Sequence, residues 1–445
     1  MNNRPTFEER KFTSKVIEDK ISEVKNFIVD KELASLFENC FPNTFDTTVN
    51  FKIENGVPDT FVITGDINAM WLRDSSAQVW PYLSIINEDS SLKDMIRGVI
   101  NRQTKCILLD PYANAFTDGD LSSEWANDFT DMKPGIHERK WEIDSLCYPV
   151  RLVHSYWMIT NDSSCFTDEW KKAAKLIVKT FKEQQRKNDR GTYRFGRATS
   201  WSTDTVPGNG FGNPVEPVGL IVSVFRPSDD ATIFPFLIPS NYFAVITLRK
   251  IAAIFTENFN EAEFVLECES LAMEIEKAIK QYAIANHLNF GEVFAYEVDG
   301  FGNKLFMDDA NIPNLLSLPY LECCSPTDNV YLNTRNFVLS RFNPYFFKGS
   351  AAEGIGSPHT LINKIWPLSI TMRALTSNDD EDIIHCLHYL KTTDAGTGFM
   401  HESFDKDNAK DFTRKWFAWA NSLFGELILK LYNENPALLK RKQYY

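Results

Sequence analysis

Hydrophobic positions along this chain recur mostly at helical spacing. In "KFTSKVIEDKISEVKNFIVDKELASLFENCF" (11–41), Val16, Ile17, Ile21, Val24, Phe27 and Ile28 fall on one stripe, the three-to-four-residue recurrence of an amphipathic helix. "SCFTDEWKKAAKLIVKTFKEQQRK" (164–187) does the same through Trp170, Ala174, Ile177, Val178 and Phe181. Further helical segments are predicted at 241–255, 261–283, 329–341, 365–377, 381–393 and 416–435, and others begin near Ser75, Leu92 and Ile143. Together they predict roughly a dozen helices, as expected where the 3.6-residue period dominates.

One strand signal interrupts them. "GEVFAYEVDGFGNKLF" (291–306) alternates around Asp299-Gly300, a dipeptide suited to a hairpin turn. Long polar, Gly- and Pro-rich loops run from Arg197 to Gly219 and from Phe347 to Thr360; loops of this length inside a compact domain usually carry function. There is no linker, low-complexity tract or internal repeat. A solenoid would show a repeat period, so the expectation is an (α/α)6 barrel, a toroid of inner and outer helices with its loops and hairpin at one end, over residues 1–445 as one domain. An irregular helical bundle is the alternative.

Composition narrows the partners. The 445 residues carry 47 Lys plus Arg against 60 Asp plus Glu, a net charge of −13. With no basic stripe, the chain is expected to repel a phosphate backbone and not to bind nucleic acid. Aromatics make up 13% of the residues, enough for a large core and for rings that stack on sugar faces. The eight cysteines have no metal-type spacing, and reduced core residues are expected. The charged N-terminus lacks the apolar core of a signal peptide and no apolar run is long enough to span a bilayer, so a cytoplasmic location without membrane insertion is expected.

The candidate chemistry is carboxylate chemistry. "TGDINAMWLRDSSAQVWPYL" (64–83) sets Asp66, Arg73 and Asp74 among Trp71, Trp80 and other apolar residues. Asp229 and Asp230 stand in "FRPSDDATIF", Glu402 beside His401 in "TGFMHESFDKDN", Asp308 and Asp309 in "FMDDAN", and Glu142 and Asp144 in "WEIDSLCYP". An acid in apolar surroundings holds its proton to higher pH, because desolvation disfavours the charge. Structural roles compete: Asp74 suits an N-cap for a helix from Ser75, and Asp66 with Arg73 suits a buried ion pair. There is no G-x-S-x-G elbow, P-loop or HExxH, and His385 and His388 suit a helix surface or core better than a metal pair. Paired acids in an aromatic-lined cleft are the machinery of glycoside hydrolysis. A histidine-based sugar epimerase using His359 and His401, and a non-catalytic carbohydrate-binding protein, are the alternatives.

The motifs "GDINAMWLRDSSAQV", "NRQTKCILLDPYANAF", "ERKWEIDSLCYPVRL", "FRPSDDA", "FMDDANIPNLLSLPYL", "GIGSPHT", "TDAGTGFMHESF" and "KWFAWANSLFGE" occur in an order that resembles glycoside hydrolase family 125, from about Asn39 to near the C-terminus. The resemblance implies an (α/α)6 fold, an inverting exo-α-1,6-mannosidase, a terminal α-mannoside oligosaccharide or glycan as substrate, and no metal or other cofactor. It carries the general acid onto Asp229 and the general base onto Glu402. Ser403 stands where a glycine is expected in bacterial members, and 197–224 matches less closely than its neighbours. Around the sugar it suggests Asp66, Arg73, Asp74, Asp144, Arg226, Asp309 and His359 as polar contacts, with Trp71 and Trp201 as walls. Inversion requires room for a water, a carboxyl separation of about 6.5–9.5 Å. The residues alone do not separate Asp229 from Asp230.

Overall fold

The computed structural model describes residues 2–442 and is mostly helical. Thirteen α-helices occur among the described residues: α1 (Lys15–Phe27), α2 (Lys31–Cys40), α3 (Asn43–Thr47), α4 (Leu72–Val79), α5 (Ser90–Leu109), α6 (Ile143–Thr160), α7 (Asp168–Gln184), α8 (Ile238–Asn258), α9 (Ala262–Tyr282), α10 (Asn329–Val338), α11 (Pro367–Leu375), α12 (Asp380–Thr392) and α13 (Ala418–Glu434). Contacts divide the chain into two compact units, one of 1–70, 74–102 and 345–445, the other of 71–73 and 103–344. All eight cysteines are free thiols, six of them buried. Among the described residues no helix is long and apolar enough to cross a membrane.

In the first unit α13 is the central element. Its Trp419, Leu423, Phe424, Leu427, Ile428 and Leu431 are all buried, so it is apolar on nearly every side, as a core helix must be. It packs against α2, α3 and α11. Gly425 allows the contact with α2's end: a Cβ there would lie 2.9 Å from Phe41 Cδ2 and 3.1 Å from its Cα. The stripe predicted over 11–41 is two helices. Asp30 breaks it, its carboxylate accepting from Glu32 N and Leu33 N at 3.0 Å each, and an N-cap of this kind fixes a new helix start. Three short sheets occur among the described residues of this unit; in one of them Ser403–Asp405 pairs with Lys364–Ile365 on one side and Phe412–Thr413 on the other.

In the second unit α8 packs on α6 and α9. From Ile143 to Val153 every residue of α6 is buried, Asp144 and Arg151 included. The predicted hairpin is only partly as expected. Glu297–Val298 does pair with Lys304–Leu305 across the Asp299-Gly300 turn, where Asp299 Oδ1 accepts from Phe301 N and Asn303 N. The run before it, Gly291–Phe294, instead pairs backwards with Ile284–His287. Alternation marks a strand but does not choose its partner.

Candidate active site

The second unit builds one cluster around the loop of Arg226 to Asp230. Asp229 N donates to Arg226 O at 2.9 Å and Arg226 N to Asp230 O at 2.8 Å, closing a tight turn between Phe225 and Ala231, which bridge. Proline is favoured early in such turns, and aspartate tolerates the left-handed backbone that ends them. Asp229 has φ 68°. That conformation sends the two neighbouring aspartates in different directions. Asp230, 1% exposed, accepts from Thr203 Oγ1 at 2.6 Å and Ser228 Oγ at 3.2 Å. The side chain of Asp229, 22% exposed, reaches Arg73 Nη2 at 3.7 Å and accepts from Asn114 Nδ2 at 3.1 Å.

Arg73 is the hub. Its Nη1 donates to Glu142 Oε2 at 2.6 Å and to Asp144 Oδ2 at 3.3 Å, so one guanidinium faces three carboxyls. Burial pushes the Asp144 carboxyl up to about 6. Burial also raises Glu142, where the attraction of Arg73 is opposed by Asp229 and Asp144. A second layer supports the loop. Lys140 Nζ donates to Asp229 O at 2.9 Å and Asp204 Oδ1 at 2.7 Å, while Arg197 binds Asp128, Glu138 and Asp204. Burial alone would lower Lys140, but Glu138, Asp229 and Asp204 outweigh it and keep the ammonium charged.

Other predicted residues of this unit hold related but separate positions. Arg226 is buried and its Nε donates to Glu297 Oε1 at 2.6 Å, so it pairs with the hairpin and not with Asp230. Asp309 is fully buried, accepts from Asn311 N and Nδ2 at 3.0 Å each, and is raised by that burial. Its neighbour Asp308 accepts from Leu315 N and Leu316 N, a structural anchor. Trp71 is buried, edge-on to His137 at 5.4 Å, and no hydrogen-bond partner among the described residues reaches its Nε1. Trp201 is 41% exposed on the loop that Arg197, Thr203 and Asp204 tie to the turn of Asp229.

The first unit builds a second cluster around Glu402, whose side chain is 12% exposed and lies 3.5 Å from Arg414 Nη1. Arg414 Nη2 donates to Thr64 O at 2.8 Å and pairs with Asp66. His401 stacks on Phe412, centroids 3.9 Å apart, with its ring nitrogens at 3.3 Å from Arg414 O and 3.2 Å from Asp394 O. Burial lowers it. An imidazole held on both edges by carbonyls is a brace for the segment and is poorly placed to exchange protons with a substrate. His359 sits in a one-turn helix, its ring 6.4 Å from that of Trp366.

Two structural expectations for the opening stretch fail. Asp66 and Arg73 do not pair; each finds a partner remote in sequence. Asp74 does not cap a helix from Ser75, because α4 already starts at Leu72; it lies in the first turn, where Thr64 Oγ1 donates to it at 2.6 Å. Sequence reasoning left out Asn114, Lys140, Arg197 and Arg414 as supporting residues. The first two stand within motifs already singled out, which was a usable signal; Arg414 offered none.

A family model described as metal-independent alpha-mannosidase matches residues 30–429. The chain belongs to glycoside hydrolase family 125. It is therefore a glycoside hydrolase, of the alpha-mannosidase class. The meiotically up-regulated gene 157 protein of Schizosaccharomyces pombe is 43% identical, over 98% of this chain and 90% of that one. A Streptococcus pneumoniae metal-independent alpha-mannosidase, solved in a non-productive complex with α-1,6-mannobiose, is 39% identical with a TM-score of 0.91, covering 96% of this chain and all of that one. A bacterial glucoamylase bound to acarbose is 11% identical with a TM-score of 0.54, covering 93% of this chain and 56% of that one, a likeness of fold alone. Family 125 membership sets aside the epimerase and the non-catalytic alternatives. Among the described residues no group of three or more His, Cys, Asp or Glu side chains is arranged to hold a metal ion.

Proposed function

We propose that this family 125 enzyme is an exo-acting α-1,6-mannosidase that removes terminal non-reducing mannose with inversion, with Asp229 as general acid and Glu402 as general base. We further infer that its helices form a single (α/α)6 catalytic domain. Asp229 donates its proton to the glycosidic oxygen as the bond to the anomeric carbon breaks. Glu402 takes a proton from the water that attacks that carbon opposite the leaving group. The α-1,6-mannobiose held by the pneumococcal relative supports the linkage.

The observation that carries the assignment of the acid is the contrast between adjacent aspartates. Asp230 is 1% exposed and taken up by two hydroxyls. The side chain of Asp229 is 22% exposed and stands beside Arg73 and the Asn114 amide. A sugar alkoxide needs protonation to leave, whereas a nitrophenolate leaves almost unaided. Asp229→Ala should therefore lose α-1,6-mannobiose hydrolysis severely and retain far more activity on an activated aryl α-mannoside. Asp230→Ala should affect both substrates alike. Leaving-group-dependent rescue in the Asp230 variant alone would reverse the assignment. Proton NMR of the first product should show β-mannose; α-mannose appearing first would mean retention.

A further inference from the structure

Glu142 is fully buried, yet the mechanism above gives it no role. Its Oε2 accepts from Arg73 Nη1 at 2.6 Å and from Ser145 Oγ at 2.8 Å. No N–H or hydroxyl donor among the described residues reaches its Oε1. The Asp229 carboxyl lies against the same guanidinium as Glu142 and raises it; two such acceptors side by side are compatible when a proton lies between them. Charge counting points the same way. Arg73 lies against Glu142, Asp144 and Asp229, the first two of them fully buried, and three ionised carboxyls would outnumber that guanidinium.

We propose that Glu142 is a positioning residue for the acid: its carboxyl and that of Asp229 hold one proton between them, which Asp229 passes on when substrate arrives. This rests on Asp229 being the general acid. In turnover the proton leaves through Asp229 to the glycosidic oxygen, which also takes the bonding electron pair. The pair, then doubly ionised beside Arg73, recovers one proton from solvent, and Glu402 returns to solvent the proton it took from water.

Several other titratable groups face the pair. Arg73 on α4 supplies the positive charge, and Asp144 on α6 adds a negative one or is neutral. Glu138 shares the Asn114 amide with Asp229. Lys140 touches the Asp229 carbonyl and is itself matched by Glu138 and Asp204. His137 is lowered by burial, and Tyr193 is raised by burial and stays neutral. Two carboxyls that share a proton titrate as a pair, and the last proton leaves at a higher pH than it would from either alone.

The test is the pH profile of kcat/KM on α-1,6-mannobiose. In Glu142→Gln a neutral amide replaces a like charge and can donate to ionised Asp229, so the alkaline limb should move down by about one pH unit or more. The same variant should lose much less on an activated aryl α-mannoside. Ser145→Ala, a small change, removes a donor that favours ionised Glu142, so its limb should move up. A Glu142→Gln profile parallel to wild type, lowered by a pH-independent factor on both substrates, would overturn the proposal. If that variant does not fold, an unmoved limb in Ser145→Ala would overturn it. If Asp229→Ala shows no dependence on leaving group, the acid is misassigned and the inference falls with it; if that dependence is present while both limbs stay put, the inference alone fails.

Discussion

The surroundings of Asp229 and of Glu402 differ in how each compact unit handles negative charge. Around Asp229, one guanidinium is divided among three carboxyls, two of them with fully buried side chains. Around Glu402, one guanidinium serves two carboxylates, and Asp66, the second of these, has a 47% exposed side chain. A like charge that stands in solvent is screened, while one sealed in a core is not. The difference teaches that the same side-chain chemistry is set in two unlike surroundings, and it accords with the opposite tasks proposed for the two acids. A crowd of buried acids favours keeping a proton, the property a general acid needs.

The strongest way to break this comparison is to remove the charge from the Glu402 side. Glu402→Gln keeps size and hydrogen bonding but cannot accept the proton of water. General base catalysis typically contributes about 10²–10⁴-fold, so kcat on α-1,6-mannobiose should fall at least about a hundredfold, with substrate binding retained. Isothermal titration of the variant with mannobiose separates the two quantities. Turnover near wild type would remove Glu402 from the mechanism and with it the division of tasks.

The next effect lies on the Asp229 side and is read in stability. Burial raises Asp144 from its ordinary 3.8 to about 6. Between those values the folded chain holds a proton that the unfolded chain has released, so this group makes stability fall as pH rises through the window. Asp144→Asn should remove that fall, which chemical denaturation at several pH values would register as a more positive slope. His154, also on α6, works in the opposite sense: burial lowers it from 6.5 to about 4, the unfolded chain binds the extra proton, and stability rises with pH. His154→Gln should therefore make the net slope more negative, since it removes a rise. Identical slopes in wild type and Asp144→Asn would mean that the crowding around Arg73 does not hold a proton on Asp144.

How much of this was legible depended on the distance over which each interaction acts. The helices were readable because their apolar stripes are local; even the break at Asp30 has a local cause in its cap. The divergence of Asp229 from Asp230 was also readable in principle, since Pro227, Ser228 and Asp229 carry the turn chemistry that leads to φ 68°. The ion pairs were not. Arg73 finds Glu142 at a separation of 69 residues, and Arg414 finds Asp66 at 348. No periodicity encodes such pairings, so Asp66, an opposite charge in the same stretch, was the wrong partner for Arg73. The alternating run at 291–306 failed in a milder way, because its first half had a second strand, Ile284–His287, within reach.

The smallest expected effect concerns Ser403, which directly follows Glu402 and stands where bacterial members are expected to have glycine. Its hydroxyl meets Thr413 Oγ1 at 2.8 Å, and its backbone N–H donates to the same oxygen at 3.2 Å. Ser403→Gly would lose the hydroxyl contact but keep the backbone one. Strand pairing with Lys364–Ile365 and Phe412–Thr413, which fixes the chain next to Glu402, would also remain. The lost hydrogen bond is worth about 1 kcal/mol, and glycine in a strand adds roughly 0.5–1 kcal/mol of entropy cost. The Tm should therefore drop by a few degrees, while kcat on mannobiose stays within about twofold, because the Glu402 carboxylate keeps Arg414 as its neighbour. A tenfold fall in kcat at an unchanged Tm would show that the hydroxyl acts on the chemistry, and the Glu402 cluster would then need a third polar group beside the carboxylate and the guanidinium.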